Sequence, residues 1–247
     1  MAAKKITEDW LKTHKWMLRS SNNGISYGGF KWPPMGKWNN CPDWNTKPEC
    51  GGGFHGETPD YNGFGFLYGR IELVEYIGES IPIDENKVKV KQARIVAVGT
   101  NIPEAAFTAC GYKIAHNGDT ITPARDDRWL VLEGHVTVSN QSGGYCWFRD
   151  SSQGTVSNQS FGYCWFCDSS QGTVSNQSFG YCRFYDSSQG TVSNQSGGDC
   201  WFYDSSQGTV SNQSGGYCRF CDSSQGTVSN QSGDYCLFYD SSKRTFE

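Results

Sequence analysis

TVSNQSGGYCWFRDSSQG, residues 137–154, is followed by five further copies of itself with few changes, the last ending at Ser242. A fixed period sustained over six copies means one structural unit stacked on its own repeats. Nearly half of the 247-residue chain is therefore a linear array.

The copies record which positions tolerate change. Cys146, Cys164, Cys182, Cys200, Cys218 and Cys236 form an invariant column, and the positions of Phe148, Asp150 and Val138 never vary either. Their neighbours do vary. One changing column reads Trp147, Trp165, Arg183, Trp201, Arg219, Leu237, and another reads Arg149, Cys167, Tyr185, Tyr203, Cys221, Tyr239. Fixed and variable positions alternate, which is the period of a β-strand. Val, Cys and Phe should point into a core where the next coil restricts volume, with the variable columns outside.

Each copy also divides into two similar halves. Val138-x-Asn140-x-Ser142-x-Gly144 parallels Phe148-x-Asp150-x-Ser152-x-Gly154, an apolar strand followed by turn formers in each case. Asn and Asp bond nearby backbone amides, and Gly accepts positive φ. One copy thus predicts one coil of two short strands and two corners, stacked on the next in parallel and in register. The fold class read from this is an α+β N-terminal domain followed by an all-β C-terminal β-solenoid of six 18-residue coils. Domain limits are set at residues 1–136, 137–242 and a tail at 243–247, whose Lys243, Arg244 and Phe246 could blunt the last strand edge.

The Asp150 column cannot lie deep, because like charges one coil apart in low dielectric repel strongly; a corner with backbone donors suits it. A buried thiol packs as a small hydrophobe, so the cysteine column reads as core rather than as stacked disulfides. Calcium is not expected, since neither half contains GGxGxD and one carboxylate per coil is too few for its cage.

Two outer faces have functional readings. Tyr145, Trp147, Tyr163, Trp165, Tyr181, Arg183, Trp201, Tyr203, Tyr217 and Arg219 would form aromatic and cationic columns on one sheet. Exposed apolar patches mark contact sites, so these ten are the candidate binding residues, for a macromolecular partner or for a second copy in a head-to-tail fibre. The competing reading is that the rings only stack across strands. On the other sheet, Thr137 and Ser139 recur in every coil. This T-x-S array is similar to the T-x-T ladders of ice-binding solenoids, and the repeat style resembles that of ice-nucleation proteins. The likeness implies a flat face whose hydroxyls organise water.

Upstream, Thr7 is placed as the N-cap of a helix opened by Glu8 and Asp9, running on toward Asn22. Strands are expected at 69–77, 87–98, 119–123 and 128–138, with a short helix at 103–110. The stretch PECGGGFHGE (48–57) with KVKVKQARIV (87–96) resembles an uncharacterised domain of phage and bacterial genomes that carries C-G-G-G-[LF]-H-G and often ends in tandem repeats. The resemblance implies a phage or bacterial origin, with a virion location or release by lysis, and carries over no catalytic role. Read directly, three glycines permit a sharp turn or a close ligand approach. His55 and Glu57 are the weak catalytic candidates, as an acid–base pair. Cys41, Cys50 and His55 lack a fourth ligand and match no zinc spacing, so neither metal nor cofactor is expected.

Charge excludes little but is informative. Residues 1–136 hold 16 basic and 16 acidic residues, and the remainder 5 and 9, which accounts for the net charge of −4. No basic stripe for a nucleic-acid backbone is evident. No segment approaches a membrane span, and MAAKKITEDW lacks the apolar stretch of a secretory signal. The reading is a cytoplasmic structural or binding protein rather than an enzyme. Its alternatives are an enzyme or small-ligand domain centred on GGGFHG, and an ice-binding protein.

Overall fold

A computed structural model describes residues 6–22, 24–26, 29–63, 69–232 and 235–245. Phe246 of the expected edge cap therefore lies outside the described residues. The chain divides into two compact units, residues 1–112 and 113–247.

The first unit opens with α1 (Glu8–Thr13), capped where Thr7 Oγ1 accepts from the Trp10 amide at 3.3 Å. This helix is shorter than expected. The Thr13 hydroxyl donates back to the Asp9 and Trp10 carbonyls, and the chain leaves in extended conformation at His14. It becomes β1 (Trp16–Ser21) instead of further helix. Then come β2 (Asn39–Asn40), β3 (Phe54–Gly56), β4 (Arg70–Ile83), β5 (Lys87–Val98) and α2 (Glu104–Ala109). β1, β4, β5 and β2 pair in that order, and β3 joins β5. Leu18 and Glu57 exchange two backbone hydrogen bonds of 2.8 Å, which returns the path of strands to β1. Met17, Trp32, Phe54, Val74, Val88, Val90 and Ile95 fill the interior. Among the described residues this unit sets two six-residue helices beside a five-stranded sheet, so it is partly strand, with little helix.

The second unit is a β-solenoid. Two eight-stranded parallel sheets run along it. Its stack begins ahead of the first repeat, with β6 (Lys113–Ile114), β7 (Thr120–Ile121), β8 (Arg128–Val131) and β9 (His135–Ser139). Arg128 pairs with Tyr145, and Thr120 with Thr137. The array thus starts at 113 rather than 137, and periodicity missed this part because it lacks the TVSNQS text.

Within the repeats every coil has one strand of the Gln153–Ser157 type and one containing YCWF or its equivalent. Pairing is in register apart from one shift between Ser142 and Tyr145, so Val156 meets Val174 and Cys146 meets Cys164. Phe148, Phe166, Phe184, Phe202 and Phe220 are fully buried and stack at 4.6–4.8 Å. Val and Cys lie inside with them. Asn and Asp form the corners, as expected, and themselves take the left-handed conformation, with φ from 49° to 59° at Asn140 through Asp240. Short polar side chains make that conformation accessible. Gln-Gly, read above as part of a corner, instead opens a strand. Its glycine faces inward, where a Cβ at Gly172 would lie 2.7 Å from Phe166 ring carbons.

Polar side chains run in ladders along the corners. Each Asn Nδ2 donates to the Oδ1 of the preceding coil at 3.1–3.2 Å, from Asn158 to Asn230. Each backbone amide from Asp150 to Asp204 donates to the carboxylate of the next coil's Asp at 3.1–3.2 Å. A column absent from the sequence reading is Gln141, Gln159, Gln177, Gln195 and Gln213, all fully buried. These amides donate to the glycine carbonyls that follow, as Gln177 does to Gly180 at 3.1 Å. These bonds satisfy the donor side of each buried amide, whereas Gln195 Oε1 and Gln213 Oε1 have no hydrogen-bond partner among the described residues.

Candidate binding face of the solenoid

The outward positions of the YCWF strands divide into two zones. Trp147 and Trp165, expected to be exposed, are 2 % and 6 % accessible. Tyr145 stacks on Trp147 at 5.3 Å, and the two indoles meet edge-on at 5.5 Å. Arg149 is buried as well, paired with Asp168 at 3.0 Å. These large side chains cover one another, so the first copies do not offer a free row of indoles.

Tyr145, Tyr181 and Tyr217 are exposed, whereas Tyr163, Arg183, Trp201, Tyr203 and Arg219 are half-buried. Tyr145, Tyr163 and Tyr181 stack nearly parallel at 4.9–5.0 Å. Asp199 then interrupts the column in register with Tyr181 and Tyr217. In the next column, Arg183 lies 4.7 Å and Arg219 4.8 Å from the Trp201 ring, as the expected guanidinium–indole contacts require. Stacked tyrosines hide their π faces in one another and present ring edges and hydroxyls.

Two residues were not anticipated. Phe161 and Phe179 are 57 % and 58 % exposed and stack at 5.5 Å. They stand two positions before Tyr163 and Tyr181, extending the tyrosine column into an aromatic patch. The signal was available in the copies: this position is Gly in the other four.

The opposite sheet shows Gln153, Thr155 and Ser157 outward and their equivalents in unbroken register to Gln225, Thr227 and Ser229. A shallow groove of about 390 Å³ follows the Gln and Thr rows.

In the first unit the glycine-rich element is organised by a lysine. Lys89 is fully buried, and its ammonium donates to Asn45 Oδ1 at 3.0 Å and to the Gly51 and Glu49 carbonyls at 3.2 and 3.3 Å. A Cβ at Gly53 would lie 2.9 Å from Lys89 Cβ, and one at Gly56 2.7 Å from the Leu18 carbonyl oxygen. The glycines therefore allow close packing of chain on chain.

His55 and Glu57 do not form a pair. Glu57 accepts from Tyr112 Oη at 2.7 Å and from the Gly63 amide at 2.9 Å. His55 Nε2 has no hydrogen-bond partner. Burial, with Lys87, Lys89 and Arg19 nearby, lowers its pKa to about 4, which leaves a neutral and weak base at pH 7. Cys41 donates to Asp43 at 2.9 Å, and burial together with that bond pushes its pKa up to about 12. Cys50 is exposed, and among the described residues no three His, Cys, Asp or Glu side chains converge to hold a metal.

No known protein family, curated sequence or solved structure matches the chain. The expected likeness of residues 48–57 and 87–96 to a phage and bacterial domain is therefore not shown. No helix among the described residues is long and apolar enough to cross a membrane.

Proposed function

We propose that the protein is a structural binding protein whose solenoid holds an aromatic patch rigid for contact with a protein surface, its own copies included. The observation that carries this reading is the pair Phe161 and Phe179, more than half exposed beside the Tyr145–Tyr163–Tyr181 stack. Rings already stacked lose little freedom when a partner lands on them, which lowers the entropic cost of association. Phe161→Gly with Phe179→Gly tests it, because Gly is what four other copies carry there. In sedimentation across a range of concentrations, the wild type should self-associate and the double variant should stay monomeric. Self-association of equal strength in both would remove the patch from the contact. A monomeric wild type would restrict the reading to a different protein partner.

One observation favours the ice-binding alternative, the unbroken register of Thr155, Thr173, Thr191, Thr209 and Thr227. Thermal hysteresis should then appear and be lost on Thr173→Leu with Thr191→Leu. Ice growth unaffected by the wild type rules it out.

A further inference from the structure

Six invariant cysteines stand in register along the core, Cys146, Cys164, Cys182, Cys200, Cys218 and Cys236, each paired with its copy in the next coil. All are free thiols, and the first five are buried. Val fills the inward position of the other strand in each coil, so apolar bulk alone would not demand sulfur here.

The surroundings of these sulfurs are polar in an ordered way. Cys164 Sγ donates to Gln141 Oε1 at 3.0 Å, Cys182 to Gln159 at 3.1 Å and Cys200 to Gln177 at 3.0 Å. On the other side, Gln159 Nε2 points at Cys164 Sγ at 3.9 Å and Gln177 Nε2 at Cys182 Sγ at 3.8 Å. Each of these two thiols therefore has an acceptor for its proton and a donor for its anion.

We propose that this column binds monovalent copper as two-coordinate S–Cu–S links between adjacent coils. Soft thiolates select Cu(I), and among the described residues no three donors converge, which favours two-coordinate binding. The span agrees. Two metal–thiolate bonds of about 2.3 Å laid end to end reach about 4.6 Å, against a strand spacing of about 4.7–4.9 Å. Each ion replaces two thiol protons, Cu⁺ + 2 RSH giving [RS–Cu–SR]⁻ + 2 H⁺. The Gln Nε2 groups then donate to the anionic sulfurs, as outer-sphere partners of a metal site do. Six thiols in pairs make about three links per chain.

The test uses the full chain, reduced and anaerobic, with Cu(I) supplied from a competing chromophoric chelator during refolding. The wild type should take up about three Cu(I), with X-ray absorption reporting two sulfurs per copper. Replacing the other five cysteines, Cys41, Cys50, Cys110, Cys167 and Cys221, with Ala should leave that uptake intact. Cys164→Ala with Cys200→Ala and Cys236→Ala leaves thiols two coils apart and should abolish it while the β-sheet circular dichroism persists. Should that triple variant not fold, Cys200→Ala alone should reduce uptake to about two ions, because one pair is broken. No uptake by the wild type, three or more sulfurs per copper, loss of uptake on replacing the other five cysteines, or full uptake after Cys200→Ala would each overturn the proposal.

Discussion

At the scale of single residues, the solenoid depends on groups too small or too polar to be replaced. The inward glycine of each Gln-Gly makes room for a phenylalanine ring. Gly172→Ala should destabilise by about 1–3 kcal/mol through overpacking, read from chemical denaturation. The corner carboxylates carry a pH effect. Burial, then the Asp168 charge, raises the Asp150 carboxyl above its ordinary value of 3.8, and burial does the same at Asp186. A raised folded value means that their contribution to stability is complete below pH 3.8 and is lost as pH rises through the folded value. Asp186→Asn should therefore raise the thermal midpoint at pH 7, and the gain should shrink as pH falls toward 4. An equal gain at both pH values would show that charge is not the cause.

At the scale of elements, strand and corner use different chemistry to reach the same register. Strands stack Val on Val and Phe on Phe, whereas corners join coils through side-chain amides and carboxylates. The buried Gln column links the two, because its amides close corners and those of Gln141, Gln159 and Gln177 also meet a core sulfur. Gln177→Ala removes the donor to the Gly180 carbonyl and the acceptor of the Cys200 thiol. Leaving buried groups unpartnered costs about 1–3 kcal/mol each, so the loss should exceed that of Asn194→Ala at the exposed corner beside it. Paired denaturation curves decide this, and the reverse order would place the main stabilisation in the Asn ladder.

At the scale of the whole molecule, a solenoid is close to one-dimensional, since each coil touches chiefly its two neighbours. Deleting residues 173–190 removes one complete coil and rejoins Gly172 to Thr191 in phase. That variant should fold, with a lower denaturation midpoint. Deleting 173–191, one residue more, leaves the junction coil one residue short, so its Val192 strand loses register with its neighbours, and the midpoint should fall below that of the in-phase deletion.

The repeat text by itself determined the solenoid, its parallel register, the inward Val, Cys and Phe, and the polar corners. Such features follow from local alternation and from comparing copies, in which a position facing an identical neighbour cannot drift. The sequence also showed that Thr7 caps a helix, but not that the helix ends after Thr13, where the chain turns into strand β1. Only the tertiary structure decided where the array starts, because β6 to β9 pair through backbone groups that any text can supply. It alone buried Trp147, Trp165 and Arg149, since exposure depends on what packs across a face and not on which way a strand points. It also separated His55 from Glu57, whose carboxylate is held by Tyr112, 55 residues away in the chain. Spacing along a strand sets which face a side chain takes, whereas its partner is chosen by whatever the fold brings opposite.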